Sequence, residues 1–403
     1  MNSDQETGGA KERRGLRRRM RATVPRLSRF AVEHLLLLPL GALIAMVWVN
    51  TAPESYYRFS FTIAFAVNEI AMAFFFALMT KEVVEATAPG GVLHSWRRAM
   101  LPVIAAVAAT ALPALIYGRV VAALDEPMLV LAWPVAMATD LAIGYFVLRL
   151  IFRSHPVIPF FLLLGIGADA LGFLALAFLN PTREVDLVTG VALLFVAGLL
   201  AAGLRWWRVV NFWPYLIGPG VVAWLACFWS GLHPALSLVP IVPFLPHASR
   251  DPGFFVDARP NAKDTLSQFE NWWRYPVQVT LFFFGLVNAG VPFGELELGT
   301  WGLPIAVLLG KPVGVLIGAG LALVAGFHLP QRVGWRELLV TGLTAAMGFC
   351  VGLFFCTALL PPGQLRSEVS MGVLLSLAAA PLAIGAAMVL RVGRFSEKPE
   401  AAG

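Results

Sequence analysis

Four ionisable side chains interrupt long apolar segments of the chain, each close to the middle of its segment. They are Glu69, Asp140, Asp169 and Lys311. A charged group at the centre of a membrane costs about 2.5–3.5 kcal/mol on insertion scales, so such groups face one another or water. Carboxylates in a wetted cavity can bind either a metal cation or a proton, which is the chemistry that an ion carrier requires. We therefore expect these side chains to mark an ion pathway.

Lys311 needs a partner if it lies within the membrane, and either Asp169 or Asp140 can supply the opposite charge. An ion pair that only fixes the register of the helices is the alternative interpretation. Register alone, however, does not require a third and a fourth charge at the same depth. The pattern therefore favours a functional cluster.

Two of the apolar segments carry local signals of a broken helix. In the first, Pro134 is followed by the pair Thr139 and Asp140 near the centre of the segment. In the second, two glycines flank the centre, in the sequence Gly348-Phe349-Cys350-Val351-Gly352. Interrupted helices in both halves of a membrane protein predict a binding site at the midplane, because helix ends carry partial charges there.

The composition explains why these segments are assigned to a membrane. Hydrophobic residues make up 58% of the chain and charged residues 13%, against about 45–50% and 25% in soluble domains. Long apolar segments in lipid become helices, because every backbone group must be bonded internally. The sequence contains no phosphate-binding glycine loop, no His/Cys set with metal-ligand spacing and no credible nucleophile–base pair. We expect neither an enzyme nor a bound cofactor.

About twelve segments are apolar enough to cross a bilayer, which predicts an all-α polytopic membrane protein. They cover residues 31–50, 61–79, 99–117, 128–148, 157–179, 187–204, 212–229, 232–245, 277–291, 303–325, 338–360 and 369–390. If the N-terminus is cytoplasmic, the cytoplasmic segments hold 25 Lys and Arg residues and the outer loops hold four. This asymmetry follows the positive-inside rule and predicts that both termini face the cytoplasm.

The chain divides into a basic tail at 1–30, a membrane domain at 31–390 and a short cytoplasmic tail at 391–403. Nine of the 30 Lys and Arg residues lie between Lys11 and Arg29. We interpret this tail as a disordered segment that contacts anionic lipid headgroups, with a partner-binding arm as the alternative. The net charge of +6 is not spread over a folded surface, so we expect no nucleic-acid partner.

Eight short stretches follow one another from the second predicted crossing to the eleventh. They read Asn68-Glu69 with Ala73-Phe74-Phe75-Phe76 and Lys81-Glu82-Val83; Leu101-Pro102-Val103-Ile104-Ala105-Ala106; Ala138-Thr139-Asp140; Asp169-Ala170-Leu171-Gly172; Ser230-Gly231-Leu232-His233; Asn288-Ala289-Gly290-Val291; Leu309-Gly310-Lys311-Pro312-Val313-Gly314; and Gly348-Phe349. In this order they resemble the NhaA-type sodium/proton antiporter family. Each stretch alone is a weak signal, whereas eight in order form a specific one.

The resemblance implies twelve helices, in which crossings three to five and ten to twelve form inverted repeats whose broken helices cross at mid-membrane. It also implies a multi-pass protein of the bacterial inner membrane that exchanges Na⁺ or Li⁺ for H⁺ by alternating access. The transported cation would bind transiently to Asp169 and Asp140, with Lys311 facing them. The broken-helix site would comprise Thr139, Gly348, Phe349 and Cys350.

Three further residues match positions that the family associates with a cytoplasmic funnel and a pH response. They are Glu69, Glu82 and His233. On physical grounds alone, a single histidine at a helix start is more often a structural residue. A glutamate at a helix end can equally be a solvated charge.

The sequence departs from the family pattern in the fifth and eleventh crossings and in the first outer loop. The family typically has two adjacent aspartates in the fifth crossing, whereas this chain has Asp169 followed by Ala170. Threonine and serine of the family's broken eleventh helix are replaced by Cys350 and Gly352. The outer loop at 51–60 also has no room for the β-hairpin that members often use to form a homodimer.

The missing aspartate leaves three hypotheses open. In the first, one sodium ion is exchanged for one proton, with Asp169 and Lys311 as the switch and Asp140 assisting. In the second, the chain is a transport-silent scaffold or sensing subunit that keeps the fold. In the third, it carries another solute, since loss of a carboxylate weakens sodium coordination.

Overall fold

The computed structural model describes residues 37–87, 96–124, 126–153, 155–179, 187–246, 264–295, 297–330 and 332–396. Within these ranges the chain is helical and contains no β-strand. Six helices are long and apolar enough to cross a membrane, or eight if each of two bent pairs is one crossing. The prediction of an all-α polytopic membrane protein is confirmed. The predicted basic tail at 1–30 lies outside the described residues.

The described ranges contain fourteen α-helices of at least ten residues, labelled here in chain order. They are α1 (Leu37–Thr51), α2 (Pro53–Phe65), α3 (Met72–Thr87), α4 (Trp96–Ala123), α5 (Leu141–Phe152), α6 (Val157–Leu179), α7 (Leu187–Trp206), α8 (Val221–Ser230), α9 (Thr265–Asn288), α10 (Gly299–Val324), α11 (Trp335–Ala345), α12 (Phe349–Leu359), α13 (Gln364–Leu375) and α14 (Ala379–Leu390). A 3₁₀ segment, Pro127–Met137, precedes α5.

The eighth predicted crossing, residues 232–245, is wrong as a membrane helix. The structure forms only two isolated 3₁₀ turns there, Pro234–Leu236 and Val242–Phe244. Pro234 and Pro243 lack the backbone N–H that a continuing helix would donate, and their rings clash with the preceding turn. The apolar composition of this segment therefore reflects burial against neighbouring helices and not a regular helix.

The second crossing is longer than the sequence predicts. α2 and α3 join through a π-helical turn, Ala66–Ala71, and residues 51–60 are almost entirely helical, so the chain passes from α1 into α2 without a β-hairpin. A π-helical turn inserts an extra residue and disturbs the regular bonding of carbonyls. The carbonyl of Glu69 accepts a hydrogen bond from the Trp224 indole at 2.9 Å.

Two groups of three crossings share the pattern of a long helix, a broken helix and a second long helix. The first group is α4, the Pro127–Met137 segment with α5, and α6. The second group is α10, α11 with α12, and the continuous pair α13 and α14. The broken helices bend by 50° in the first group and by 43° in the second. Both breaks occur where the sequence predicts them.

A row of glycines brings α10 against α4. Gly310, Gly314 and Gly318 lie four residues apart, on one face of α10. A Cβ atom at position 310 would lie 2.7 Å from Pro113 Cα, and one at position 318 would lie 2.6 Å from Ala105 Cα. Small residues at this spacing let membrane helices approach until their backbones touch. This glycine seam fixes the position of Lys311, which follows its first member.

A reciprocal amide pair joins α9 to the π-helical turn of the second crossing. The Asn288 side-chain nitrogen donates to Asn68 Oδ1 at 2.8 Å, and the Asn68 nitrogen donates to Asn288 Oδ1 at 3.1 Å. Side-chain hydrogen bonds between membrane helices contribute about 0.6 kcal/mol on average and up to about 1.7 kcal/mol. The pair ties two helices that are distant in sequence.

Replacing one member of this pair should destabilise the bundle. We expect Asn288→Leu to lower the free energy of unfolding by about 1 kcal/mol, because the Asn68 amide is left without its partner. Thermal unfolding of the purified protein in detergent measures the change. The double variant Asn68→Leu/Asn288→Leu is the control and should lose less than the sum of the single variants. Strict additivity would contradict the pairing.

Candidate functional site

The two broken helices meet at their breaks and satisfy each other's backbone. The Asp140 N–H donates to the carbonyl of Met347 at 2.6 Å. In return, the Cys350 N–H at the start of α12 donates to Asp140 Oδ2 at 3.1 Å. Backbone groups released at a break have no water to bond in the membrane core, so the mutual contact holds the breaks together.

Asp140 is the residue that caps α5. Its Oδ1 accepts the backbone N–H groups of Ala142 at 3.1 Å and Ile143 at 3.0 Å. The carboxylate therefore contacts the N-terminal ends of two half-helices, where the partial positive charge stabilises an anion. This geometry explains how a buried aspartate is tolerated without a direct basic partner.

Lys311 lies on α10, opposite the first break, and its side chain is fully buried. Its ammonium donates to the Met137 carbonyl at 2.5 Å and to Thr139 Oγ1 at 2.8 Å. The expected direct ion pair with Asp169 or Asp140 is wrong: among the described residues, Lys311 forms no salt bridge. The physical reason is the break itself, which leaves the Met137 carbonyl at a helix end without an intrahelical partner.

Asp169 lies on α6 and reaches the same break from the other side. Its Oδ1 accepts the backbone N–H of Thr139 at 3.2 Å. Thr139 thus connects the two charges, because its N–H binds the carboxylate while its hydroxyl binds the Lys311 ammonium. Asp169 Oδ2 is buried and has no hydrogen-bond partner among the described residues.

A small cavity of about 30 Å³ adjoins the crossing. Asp140, Asp169 and Cys350 supply its polar lining, and its other walls are formed mainly by apolar side chains such as Phe75 and Leu281. A polar site of this volume can hold a single water molecule or an ion of similar size. Neither Lys311 nor Thr139, which accepts a hydrogen bond from its ammonium, is among the lining residues.

The residues expected to form a funnel and a pH response lie at two separate places. Glu69 and His233 meet, with Oε2 and Nδ1 3.4 Å apart, and neither lines the small cavity. Glu82 lies beside Lys81 at 3.3 Å. Lys81 also contacts Glu85 and Glu270, at 2.5 and 2.8 Å. Glu69 therefore does not replace the missing aspartate at the crossing.

The remaining residues of the second break have structural neighbours that the sequence did not indicate. The Gly348 N–H donates to Ser376 Oγ at 3.2 Å, and Phe349 begins α12 with a fully buried ring. Sequence reasoning missed Ser376, as well as the carbonyls of Met137 and Met347. Ala170 lies on an exposed side of α6 and is not part of the cavity lining.

Broken membrane helices that cross beside buried carboxylates define a class of ion carriers. The family model described as "Na+/H+ antiporter 1" matches residues 29–390 of this chain. The chain therefore belongs to this sodium/proton antiporter family, and the resemblance seen in the sequence is confirmed.

Curated relatives support this assignment over nearly the whole chain. A protein of Desulfitobacterium hafniense named Na(+)/H(+) antiporter NhaA is 38% identical over 378 residues, covering 91% of this chain and 97% of that protein. A protein of the same name from Geotalea uraniireducens is 37% identical, covering 87% and 94%. The solved sodium proton antiporter MjNhaP1 of Methanocaldococcus jannaschii has a TM-score of 0.58 at 16% identity, covering 97% and 100%. That likeness concerns the fold alone.

The hydroxyl of Thr139 should be essential for stability at the crossing. We expect Thr139→Val to lower the free energy of unfolding by about 1–3 kcal/mol, because a buried ammonium loses one of its two acceptors. The backbone N–H that binds Asp169 is retained. Thermal unfolding of the purified protein tests this, with Thr139→Ser as the matched control that keeps the hydroxyl. Equal stability of the Val and Ser variants would contradict the bridging role.

Proposed function

We propose that this protein is a secondary transporter that exchanges Na⁺ or Li⁺ for H⁺ by alternating access. In this proposal the chain lies in a bacterial cytoplasmic membrane with both termini in the cytoplasm. Support comes from membership of the antiporter family and from curated relatives named Na(+)/H(+) antiporters. A transport-silent scaffold is the less favoured alternative.

One observation links the proposed exchange to Asp169. Asp169 Oδ2 is a buried carboxylate oxygen beside a small cavity, and no described residue donates a hydrogen bond to it. An unsatisfied acceptor of this kind costs free energy unless a ligand or a proton occupies it. A water molecule, a sodium ion or a proton can each satisfy this oxygen, and a sodium ion and a proton cannot occupy it together.

Asp140 would complete the cation site. Its carboxylate lines the same cavity, and its oxygens are oriented by the N-terminal ends of α5 and α12. Oxygen ligands suit a hard cation such as Na⁺. Cys350 contributes its backbone N–H to this arrangement, which leaves the aspartate oxygens as the charged ligands.

The Lys311 ammonium would respond electrostatically to a sodium ion bound in the cavity. The Lys311 ammonium and the Asp169 carboxylate both bind Thr139, so the two charges interact at short range. A sodium ion on Asp169 places a second positive charge near the ammonium, and Coulomb repulsion between them is strong in a low-dielectric interior. We therefore place the exchanged proton on the Asp169–Lys311 pair.

This arrangement gives one proton for each sodium ion. The second carboxylate of the usual pair is replaced by Ala170, which lies outside the cavity lining. Glu69 contacts His233 and does not line the cavity either. Asp140 is the other described acid that lines the cavity; its carboxylate accepts three backbone N–H groups, and in this proposal it carries no exchanged proton.

Loss of the Asp169 carboxylate should abolish exchange. We expect vesicles containing the wild-type protein to show dequenching of an internal pH dye when NaCl or LiCl is added. Vesicles with Asp169→Asn should respond no more than protein-free vesicles, because the amide cannot carry a proton or balance a cation. Glu54→Gln, an exposed carboxylate on α2, is the matched control and should keep wild-type activity. A silent wild type that gains activity with Ala170→Asp would instead favour the scaffold.

The proposed stoichiometry predicts that exchange carries no net charge. The initial rate of dequenching should then be the same whether valinomycin and potassium gradients set the membrane potential to zero or to a large negative value. A rate that follows the imposed potential would contradict one-for-one exchange while leaving antiport itself intact.

A further inference from the structure

A second and much larger cavity opens at the end of the bundle that the charge pattern predicts to be the outer one. Its volume is about 800 Å³, within the range of small-molecule sites. The segment between α4 and the 3₁₀ segment, the residues before α10 with its first turn, and α13 from Glu368 to Leu375 surround it. It shares no lining residue with the cavity at the crossing. We call it the outer vestibule.

Among the described residues, three carboxylates and no basic side chain line the outer vestibule. The acids are Glu126, Glu297 and Glu368. Within the described part of the chain none of them forms a salt bridge. Several negative charges in a concave, partly apolar site concentrate the electrostatic field there and attract cations.

Two of the polar groups are buried in the wall of the vestibule. Glu368 is 4% exposed, and its Oε1 accepts a hydrogen bond from the Gln364 side chain at 3.4 Å. Thr300 is 3% exposed, and its hydroxyl has no hydrogen-bond partner among the described residues. A buried hydroxyl without a partner calls for a ligand or an ordered water. The Thr300 hydroxyl and the three acids therefore both indicate a binding site in the vestibule.

The remaining walls favour an organic ligand over a bare metal ion. Phe293, Leu298 and Trp301 line the vestibule with exposed apolar surface. The described residues contain no group of three acidic, His or Cys side chains close enough to hold a metal ion. An aromatic side chain beside carboxylates can bind a cation through its ring face as well.

We propose that the outer vestibule binds an organic cation, in which an ammonium, amidinium or guanidinium head is joined to an apolar body. The head donates to Glu368 and to the Thr300 hydroxyl, and the acidic pair Glu126 and Glu297 balances its charge at the rim. The body packs along Trp301 and Phe293. This site does not depend on the exchange reaction proposed above.

Binding of benzamidine to the purified full-length protein in detergent tests the proposal. Benzamide is the neutral control of nearly the same shape. We expect benzamidine to bind and benzamide to bind at least about tenfold more weakly, because the carboxylates interact with the charge. Glu368→Gln should weaken benzamidine binding by about tenfold, and Glu297→Gln by a smaller factor, because its side chain is exposed. Glu54→Gln, on another helix of the same end, should leave the affinity unchanged.

Several results would overturn the proposal. Equal affinities for benzamidine and benzamide would show that charge plays no part. Unchanged benzamidine affinity in both Glu368→Gln and Thr300→Val, with the variants monodisperse by size exclusion, would place the ligand elsewhere. Competition by NaCl that an equal concentration of KCl does not reproduce would assign the vestibule to sodium instead. Because these are binding measurements, they are independent of whether the protein exchanges sodium for protons.

Discussion

Helices that break at the centre of a membrane expose backbone groups that lipid cannot bond, and the way these groups are satisfied shapes the whole site. Each break here is closed by the other: Met347 accepts from Asp140, and Asp140 accepts from Cys350. The contact explains why two crossings must be interrupted at the same depth. It also explains why a side chain with acceptor oxygens is needed at position 140, since an apolar residue would leave the ends of both half-helices uncapped.

A second consequence concerns Lys311. Its ammonium is held by a carbonyl and a hydroxyl and not by a carboxylate. Asp169 therefore keeps one oxygen available, whereas a direct ion pair would occupy it. The result is a buried cation and a buried anion that are near each other yet not locked together. A cation or a proton could therefore bind to Asp169 or leave it at low cost, because no strong salt bridge has to be broken first.

Much of the fold could be predicted because lipid removes most alternatives to helices. The positions of both breaks followed from Pro134 and from the glycines around Phe349, which are local signals. The error at residues 232–245 arose because apolar composition alone does not distinguish a regular helix from a buried irregular segment. The partner of Lys311 was mispredicted because charges suggest ion pairs, while free carbonyls carry no sequence signal. The sequence grouped Glu69 with the acids at the crossing because it lies at the same depth. Depth does not specify which way a side chain points around its helix. The Glu69 carboxylate contacts His233 instead.

The glycine seam between α4 and α10 has a mechanical consequence. Backbones in contact at Gly310, Gly314 and Gly318 leave no gap in which one helix could slide along the other, so the two helices form a single stiff strut. Lys311 and Thr300 are both carried by this strut, about 16 Å apart along its axis. Any movement of either helix would therefore carry both residues together, so the crossing and the outer vestibule share one rigid wall.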